Sequence, residues 1–196
     1  MELLEHGHVT SPGGFSAGVA SCGMKRPGQP DLMLLTSERD CTAAGMFTRN
    51  QVVGPTVTLN RQTLAVNDSR IRAIATNAGI ANVCTGARGM KNAQSMQSLA
   101  ATALRCQARQ VMVLSTGVIG VHLPMENIRS GLKAAAADAH ADGGLSAARA
   151  IMTTDTRPKH LAARITLPSG TVTIGAMVKG SGMIHPNMAT MLAFLT

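Results

Sequence analysis

The sequence predicts an α+β fold rather than a doubly wound parallel sheet, and three observations predict it. Short apolar runs bounded by Gly, Pro, Asn and Asp crowd the early part of the chain. Helical periodicity takes over in the middle. Two alternating runs around a short glycine-containing turn then follow, which is the pattern of a hairpin. Strands, then helices, then a hairpin is the order expected of segregated α+β layers.

The early runs are residues 31–35, 56–59 and 71–75. From Thr56 to Arg61 the residues alternate as a half-buried strand should. Residues 91–106 predict a helix, because Met96, Leu99, Ala100, Ala103 and Leu104 recur at i, i+3, i+4, i+7 and i+8 and share one face. Residues 111–114 predict a short apolar strand ending at Ser115, Thr116 and Gly117. Residues 124–140 predict a second helix, with proline in the first turn and an alanine-rich body. Residues 145–152 predict a third, after the break at Gly143 and Gly144. Residues 163–168 and 171–174 flank Ser169 and Gly170 and predict the hairpin.

At 196 residues, a single domain over 1–196 with a real core is expected. An apolar content of 45% and a charged content of 14% exclude a disordered chain. With three Phe and no Trp or Tyr, the core falls to Ala, Val, Leu, Ile and Met. The thirteen Met read as core fillers, and they also suit a surface meant for a partner.

The net charge of +8 raises the question of nucleic acid. The basic residues are dispersed, however, and no aromatics are interleaved for base stacking. A solvated basic surface with no nucleic-acid partner is expected, and a small anionic substrate is compatible with it. Cys22, Cys41, Cys84 and Cys106 form no C-x-x-C pair, which argues against zinc and for reduced, mostly buried thiols in the cytoplasm. Residues 1–8 lack the basic and apolar regions of a signal peptide. No apolar run approaches a membrane span. His6 and His8 read as exposed bystanders, and no metal site is expected.

The chemistry concentrates in the last eighteen residues, Lys179 to Thr196. Gly180 and Gly182 loosen the backbone ahead of Ala189 and Thr190. A hydroxyl is a poor nucleophile unless a base serves it. An N-terminal threonine solves this with its own α-amine, whose pKa is about 7.7–8.0. That solution requires a cut before Thr190; otherwise Thr190 is ordinary helix or core material. Ser115 to Gly120 ends an apolar strand with backbone N–H groups that could face an oxyanion, or it is simply a turn that needs glycine. Lys179 could grip a carboxylate, or lie on the surface. Thr153, Thr154 and Thr156 could meet a polar ligand or cap backbone groups.

Lys179-Gly-x-Gly-Met, Pro186 and Met188-Ala-Thr-Met-Leu192 together resemble the self-cleavage site of the ornithine acetyltransferases, the glutamate N-acetyltransferases of arginine synthesis. Ser115-Thr-Gly-Val-Ile-Gly120 is similar to a second signature of that family. Segments at 9–15, 44–50 and 77–86 extend the resemblance over essentially the whole chain. Ala78 stands where the family usually has Ser, and Asn92 where it usually has an acidic residue.

The resemblance implies a layered α/β/β/α sandwich, of which this chain is the α-chain half, with 190–196 the start of a truncated β chain. It implies cleavage between Ala189 and Thr190, after which Thr190 is the nucleophile. Thr116 and Gly117 would form the oxyanion hole, and Thr153, Lys179 and Thr190 would contact substrate. The expected reaction moves acetyl from N2-acetyl-L-ornithine to L-glutamate by ping-pong chemistry; some members also accept acetyl-CoA as a donor. No cofactor or metal is implied. The expected partner is the β chain, in a hetero-oligomer. The alternative is an inactive fragment, or an α subunit that needs a separate β chain.

Overall fold

Leu32, Met33, Leu34 and Leu35 are each at most 4% exposed, so their strand must be covered on both faces. A computed structural model, which describes residues 1–185 and 187–196, shows how. Pro186, part of the motif above, lies outside the described residues. The strand is β3 (Leu32–Cys41), and it lies between β2 (Phe15–Ala20) and β4 (Ile71–Ile80), antiparallel to both. β5 (Val111–Val118) adds in parallel beside β4, giving the order β2-β3-β4-β5. A second sheet, all antiparallel, has the order β1-β6-β7-β8. Its strands are β1 (Glu2–Leu3), β6 (Lys159–Leu167), β7 (Gly170–Lys179) and β8 (Leu192–Leu195).

Alternation along β3 sorts the core into two clusters. Leu32 and Leu34 join Ala93, Met96 and Ala100 of α2 (Gly86–Leu104), and Ile128, Leu132 and Ala135 of α3 (Met125–Asp138). Met33 and Leu35 face the other way. They join Ala147, Ala148 and Ile151 in and after α4 (Gly144–Ala150), together with Met177 of β7 and Phe194 of β8. The layers run helices, sheet, sheet, an α+β sandwich as expected. The outer face of the second sheet, where a fourth layer would lie, exposes Leu161 (51%), Val172 (46%) and Leu195 (74%).

One predicted strand is a helix. Residues 56–59 fall in α1 (Pro55–Asn67), with proline at its first turn. Its buried residues are Thr56, Leu59, Asn60, Thr63 and Asn67, which follow a helical period. Only Leu59 among them is apolar, so the period is hidden from a hydrophobicity reading. The cause is the open edge of β5. Asn60 Nδ2 donates to Val113 O at 2.8 Å, and Val113 N–H donates to Asn60 Oδ1 at 3.0 Å. Gln97 of α2 donates to Val111 O at 2.8 Å and to Thr63 Oγ1 at 3.1 Å. Polar helix faces thus complete backbone bonds that a neighbouring strand would otherwise make.

Other expectations shift by less. α2 begins at Gly86 and buries Asn92, Ala93, Met96, Gln97, Ala100 and Ala101, leaving Leu99 and Ala103 half-buried on the flank. The hairpin pairs Leu167 with Gly170, so its turn is Pro168 and Ser169, one residue earlier than expected. β1, β2 and β8 gave no strand signal in the sequence. His6 is exposed, but His8 is half-buried with its Nδ1 at 2.9 Å from Thr10 Oγ1. The cysteines are all free; Cys22 is buried, Cys41 and Cys106 are intermediate, and Cys84 is exposed, contrary to mostly buried thiols. Among the described residues no helix is long and apolar enough to cross a membrane.

Asn60→Ala should leave the Val113 N–H and C=O unpaired at the covered edge of β5. A loss of about 1–3 kcal/mol is expected, read as a lower urea midpoint with an unchanged slope. An unchanged midpoint would show that α1 does not complete that edge.

Candidate active site

Parallel pairing sets Ala78 beside Thr116 and Gly79 beside Gly117, at the ends of β4 and β5. The two glycines are required by close approach. A Cβ on Gly117 would stand 2.2 Å from the Gly79 carbonyl carbon, and a Cβ on Gly79 would stand 2.2 Å from Met24 O. Both have positive φ, 134° and 111°, where other residues are strained. Asn77 fixes the irregular register beside them. Its Nδ2 donates to Ile80 O at 2.8 Å, and its Oδ1 accepts from Ser115 Oγ at 2.6 Å.

Lys179, the last residue of β7, reaches this point from the other sheet and is only 2% exposed. Its ammonium donates to Thr116 Oγ1 at 3.1 Å, Thr153 Oγ1 at 2.7 Å and Thr190 O at 3.2 Å. All three of its N–H groups are therefore used. A surface position for Lys179 is ruled out. Four residues singled out in the sequence meet at one nitrogen, and Gly117 is brought in through its neighbour Thr116. Burial pushes the Lys179 ammonium below the ordinary lysine value; Asp155 pulls it back up and Lys159 pushes it further down.

Thr190 sits in the loop that joins β7 to β8. Met191 N–H donates to Met188 O at 3.0 Å, so the Ala189–Thr190 peptide is the central bond of a turn. Before it, Asn187 and Met188 have φ of 44° and 64°. Two successive non-glycine residues in that region store strain, of order 1–3 kcal/mol each. Arg49 donates to Asn187 Oδ1 at 3.1 Å, and the Thr190 hydroxyl donates to Met183 O.

Sequence reasoning missed several charged neighbours. Asp155 lies inside the Thr-rich stretch whose hydroxyls suggest ligand contacts, and its side chain is 1% exposed. Burial alone would raise its carboxyl, but bonds from Lys159 and from the N–H groups of Gly180 and Thr153 hold it below the usual range. Lys25 donates to Ala150 O at 2.6 Å and to Pro30 O at 3.1 Å. Buried Asp31 shapes the turn before it, accepting from the N–H groups of Cys22, Met24 and Lys25. Burial pushes Lys25 down to about 8, with Asp31 acting upward and Lys179 downward. Its position four residues after Ser21, with no motif around it, offered no signal.

Among the described residues no group of three His, Cys, Asp or Glu side chains is placed for a metal. A concavity of about 400 Å³ lined by His8, Thr10, Phe15 and Asp142, among others, shares no residue with the Lys179 cluster. The converging polar groups, not the size of the hollow, mark the cluster as the candidate site.

A family model described as the ArgJ family matches residues 16–196. The arginine biosynthesis bifunctional protein ArgJ of Symbiobacterium thermophilum is 50% identical over 198 residues, which cover 100% of this chain and 48% of that protein. The protein of the same name from a Synechococcus species is 47% identical, with 97% and 46% covered. This chain thus spans about half the length of the curated relatives it matches. Among solved structures, ArgJ from Bacillus halodurans superposes with a TM-score of 0.87 at 39% identity, covering 95% of this chain and 97% of that one. An ornithine acetyltransferase from Mycobacterium tuberculosis, complexed with ornithine, gives 0.86 at 38% identity, with 100% and 99% covered.

The lowered Lys25 makes stability pH-dependent. Its folded value of about 8 lies below its ordinary 10.5, so its contribution is complete above 10.5 and is lost as pH falls through about 8. Cys22 acts oppositely above pH 9, because burial and Asp31 push its thiol from 9.0 to about 12. Stability should therefore rise from about pH 8 to pH 9 in urea titrations, and Lys25→Met should flatten that rise. An equal rise in the variant would show that Lys25 is not the group responsible.

Proposed function

The chain belongs to the ArgJ family, and on that premise we propose that it carries the nucleophile-bearing half of an acetyltransferase of arginine synthesis. The observation that supports this reading most is the meeting of Thr116, Thr153 and Thr190 at the Lys179 ammonium.

In the first step, Thr190 Oγ attacks the carbonyl carbon of Ala189. The Ala189–Thr190 C–N bond breaks and an ester forms, with the hydroxyl proton passing to the new α-amine. Water then hydrolyses the ester, leaving the Ala189 carboxylate and the Thr190 hydroxyl with a free amine beside it. The strain at Asn187 and Met188 would favour release of this peptide bond. Lys179, as a donor to Thr190 O, would hold the residue in place.

In the second step, the Thr190 α-amine takes the hydroxyl proton as Oγ attacks the acetyl carbonyl of N2-acetyl-L-ornithine. Thr116 and Gly117 would stabilise the oxyanion, at about 2.7–4 kcal/mol per donor. Ornithine leaves as the amine, taking a proton, and acetyl stays on Thr190 as an ester. The amine of L-glutamate attacks that ester, and N-acetylglutamate departs. Lys179 and Thr153 would hold the carboxylate or amide of the amino-acid substrate. The ornithine in the Mycobacterium tuberculosis relative supports a site for that class of molecule. Acetyl-CoA as a second donor, and the absence of a cofactor, belong to the same proposal.

A second reading is favoured by the open apolar face at Leu161, Val172 and Leu195. This chain would then act only as an α subunit, joined by a β half that covers the face. The two readings differ in whether Thr190 of this chain is the nucleophile or the chain serves only as the α subunit of a separately made β half.

Acetyl transfer from N2-acetyl-L-ornithine to labelled glutamate tests the reading, in the full-length protein. Thr190→Ala should abolish it. Thr116→Ala should lower kcat about 100- to 1,000-fold, the worth of one oxyanion donor. Undiminished transfer in Thr190→Ala would remove Thr190 from the mechanism.

A further inference from the structure

The charged pair of Asp155 and Lys159 directs both of its ends at one residue, Gly180. Asp155 Oδ1 accepts from Gly180 N–H at 2.8 Å and from Lys159 Nζ, while Lys159 Nζ donates to Gly180 O at 2.8 Å. The N–H and the C=O of Gly180 are thus held by opposite ends of one ion pair. Asp155 Oδ2 accepts from Thr153 N–H at 3.3 Å, so the same carboxylate also sets the residue whose hydroxyl meets Lys179. A carboxylate that is 1% exposed is costly to bury unless its oxygens are fully used. Here every partner lies beside the candidate site. Gly180 follows Lys179 directly, has φ of 144° and begins the loop that carries Thr190.

We infer that Asp155 and Lys159 are positioning residues for the reaction at Thr190: they clamp the two peptide groups that flank Gly180 so that the loop presents Ala189–Thr190 to Lys179 and Thr116. The inference rests on the self-cleavage reading given above. Lys159 is partly exposed, so the pair's attraction contributes little by itself; its role is to fix the residue at which the rigid β7 strand becomes the loop.

The clamp also balances charge at Lys179. Three charged side chains act with it electrostatically: Asp155 before β6, Lys159 at the start of β6, and Lys25 between β2 and β3. Lys179 needs its proton to make all three of its bonds. Cleavage should therefore fall on the alkaline side, where Lys179 loses it. Asp155→Asn removes the anion and should move that fall to lower pH. Lys159→Met removes a cation and should move it to higher pH.

The test is the rate of cleavage between Ala189 and Thr190 across pH, read by intact mass in the full chain. The variants are Asp155→Asn, Lys159→Met and Lys159→Arg, each checked for an unchanged melting transition. Hydrogen exchange of residues 180–191 is measured alongside. Expected are at least a tenfold slowing in the first two, opposite shifts of the alkaline limb, faster exchange in 180–191, and recovery in Lys159→Arg. Wild-type rates in both of the first two variants would overturn the clamp and leave self-cleavage standing. If the parent chain itself stays uncut, self-cleavage falls, and exchange alone decides: unchanged protection in Asp155→Asn overturns the clamp, and lost protection upholds it. Where Lys159→Met fails to fold, Lys159→Gln replaces it, and where Asp155→Asn fails to fold, Asp155→Ser replaces it, under the same criteria.

Discussion

The arrangement depends on one buried cation. Lys179 lies at the end of a strand in one sheet, and its three bonds reach the end of β5 in the other sheet, the segment after α4, and the loop before β8. These segments have no reason in their own sequences to meet. A buried ammonium supplies one, because each unmade bond would leave charge without a partner in a poorly solvated place. The lysine therefore acts as a constraint on geometry more than as a source of stability. Its depressed proton affinity is the visible cost of holding it there.

Around that point, rigidity and strain are divided between elements. β5 is fixed by β4 on one side and by the amides of Asn60 and Gln97 on the other. The packed glycines 79 and 117 let its end approach β4 more closely than side chains would permit. The loop that follows Lys179 is different: it carries consecutive left-handed residues at Asn187 and Met188. Strain of this kind persists only where the surroundings hold it. Lys179, Arg49 and the Asp155–Lys159 pair hold it here. On the function proposed above, the rigid part would receive developing charge, and the strained part would be the bond that breaks.

Much of the layering was legible because β3 and β5 open on runs of aliphatic residues and β4 on a largely aliphatic one, and because the β6–β7 turn carries its own local chemistry. α1 was not legible, since four of the five residues it buries, Thr56, Asn60, Thr63 and Asn67, are polar, and Asn60 completes a strand edge far away in sequence. β1 and β8 are too short to show a period, and β2 is built mostly from small residues whose register comes from β3. At the site, resemblance to a family singled out Thr116, Thr153, Lys179 and Thr190. Their meeting at one nitrogen is a tertiary fact that no spacing encodes. Asp155 and Lys159 escaped notice for the same reason: a pair four residues apart reads as local, yet both of its ends reach Gly180 across a hairpin.

On the function proposed above, Lys179 holds Thr190 where its chemistry takes place. Lys179→Met tests it most directly, because methionine keeps the length and the apolar stem while removing the ammonium. Intact mass and thermal melting would be followed together in the full-length protein. The expected result is a folded chain that stays joined at Ala189–Thr190 while the parent is cut. A folded Lys179→Met chain that is cut at the parent's rate would contradict it.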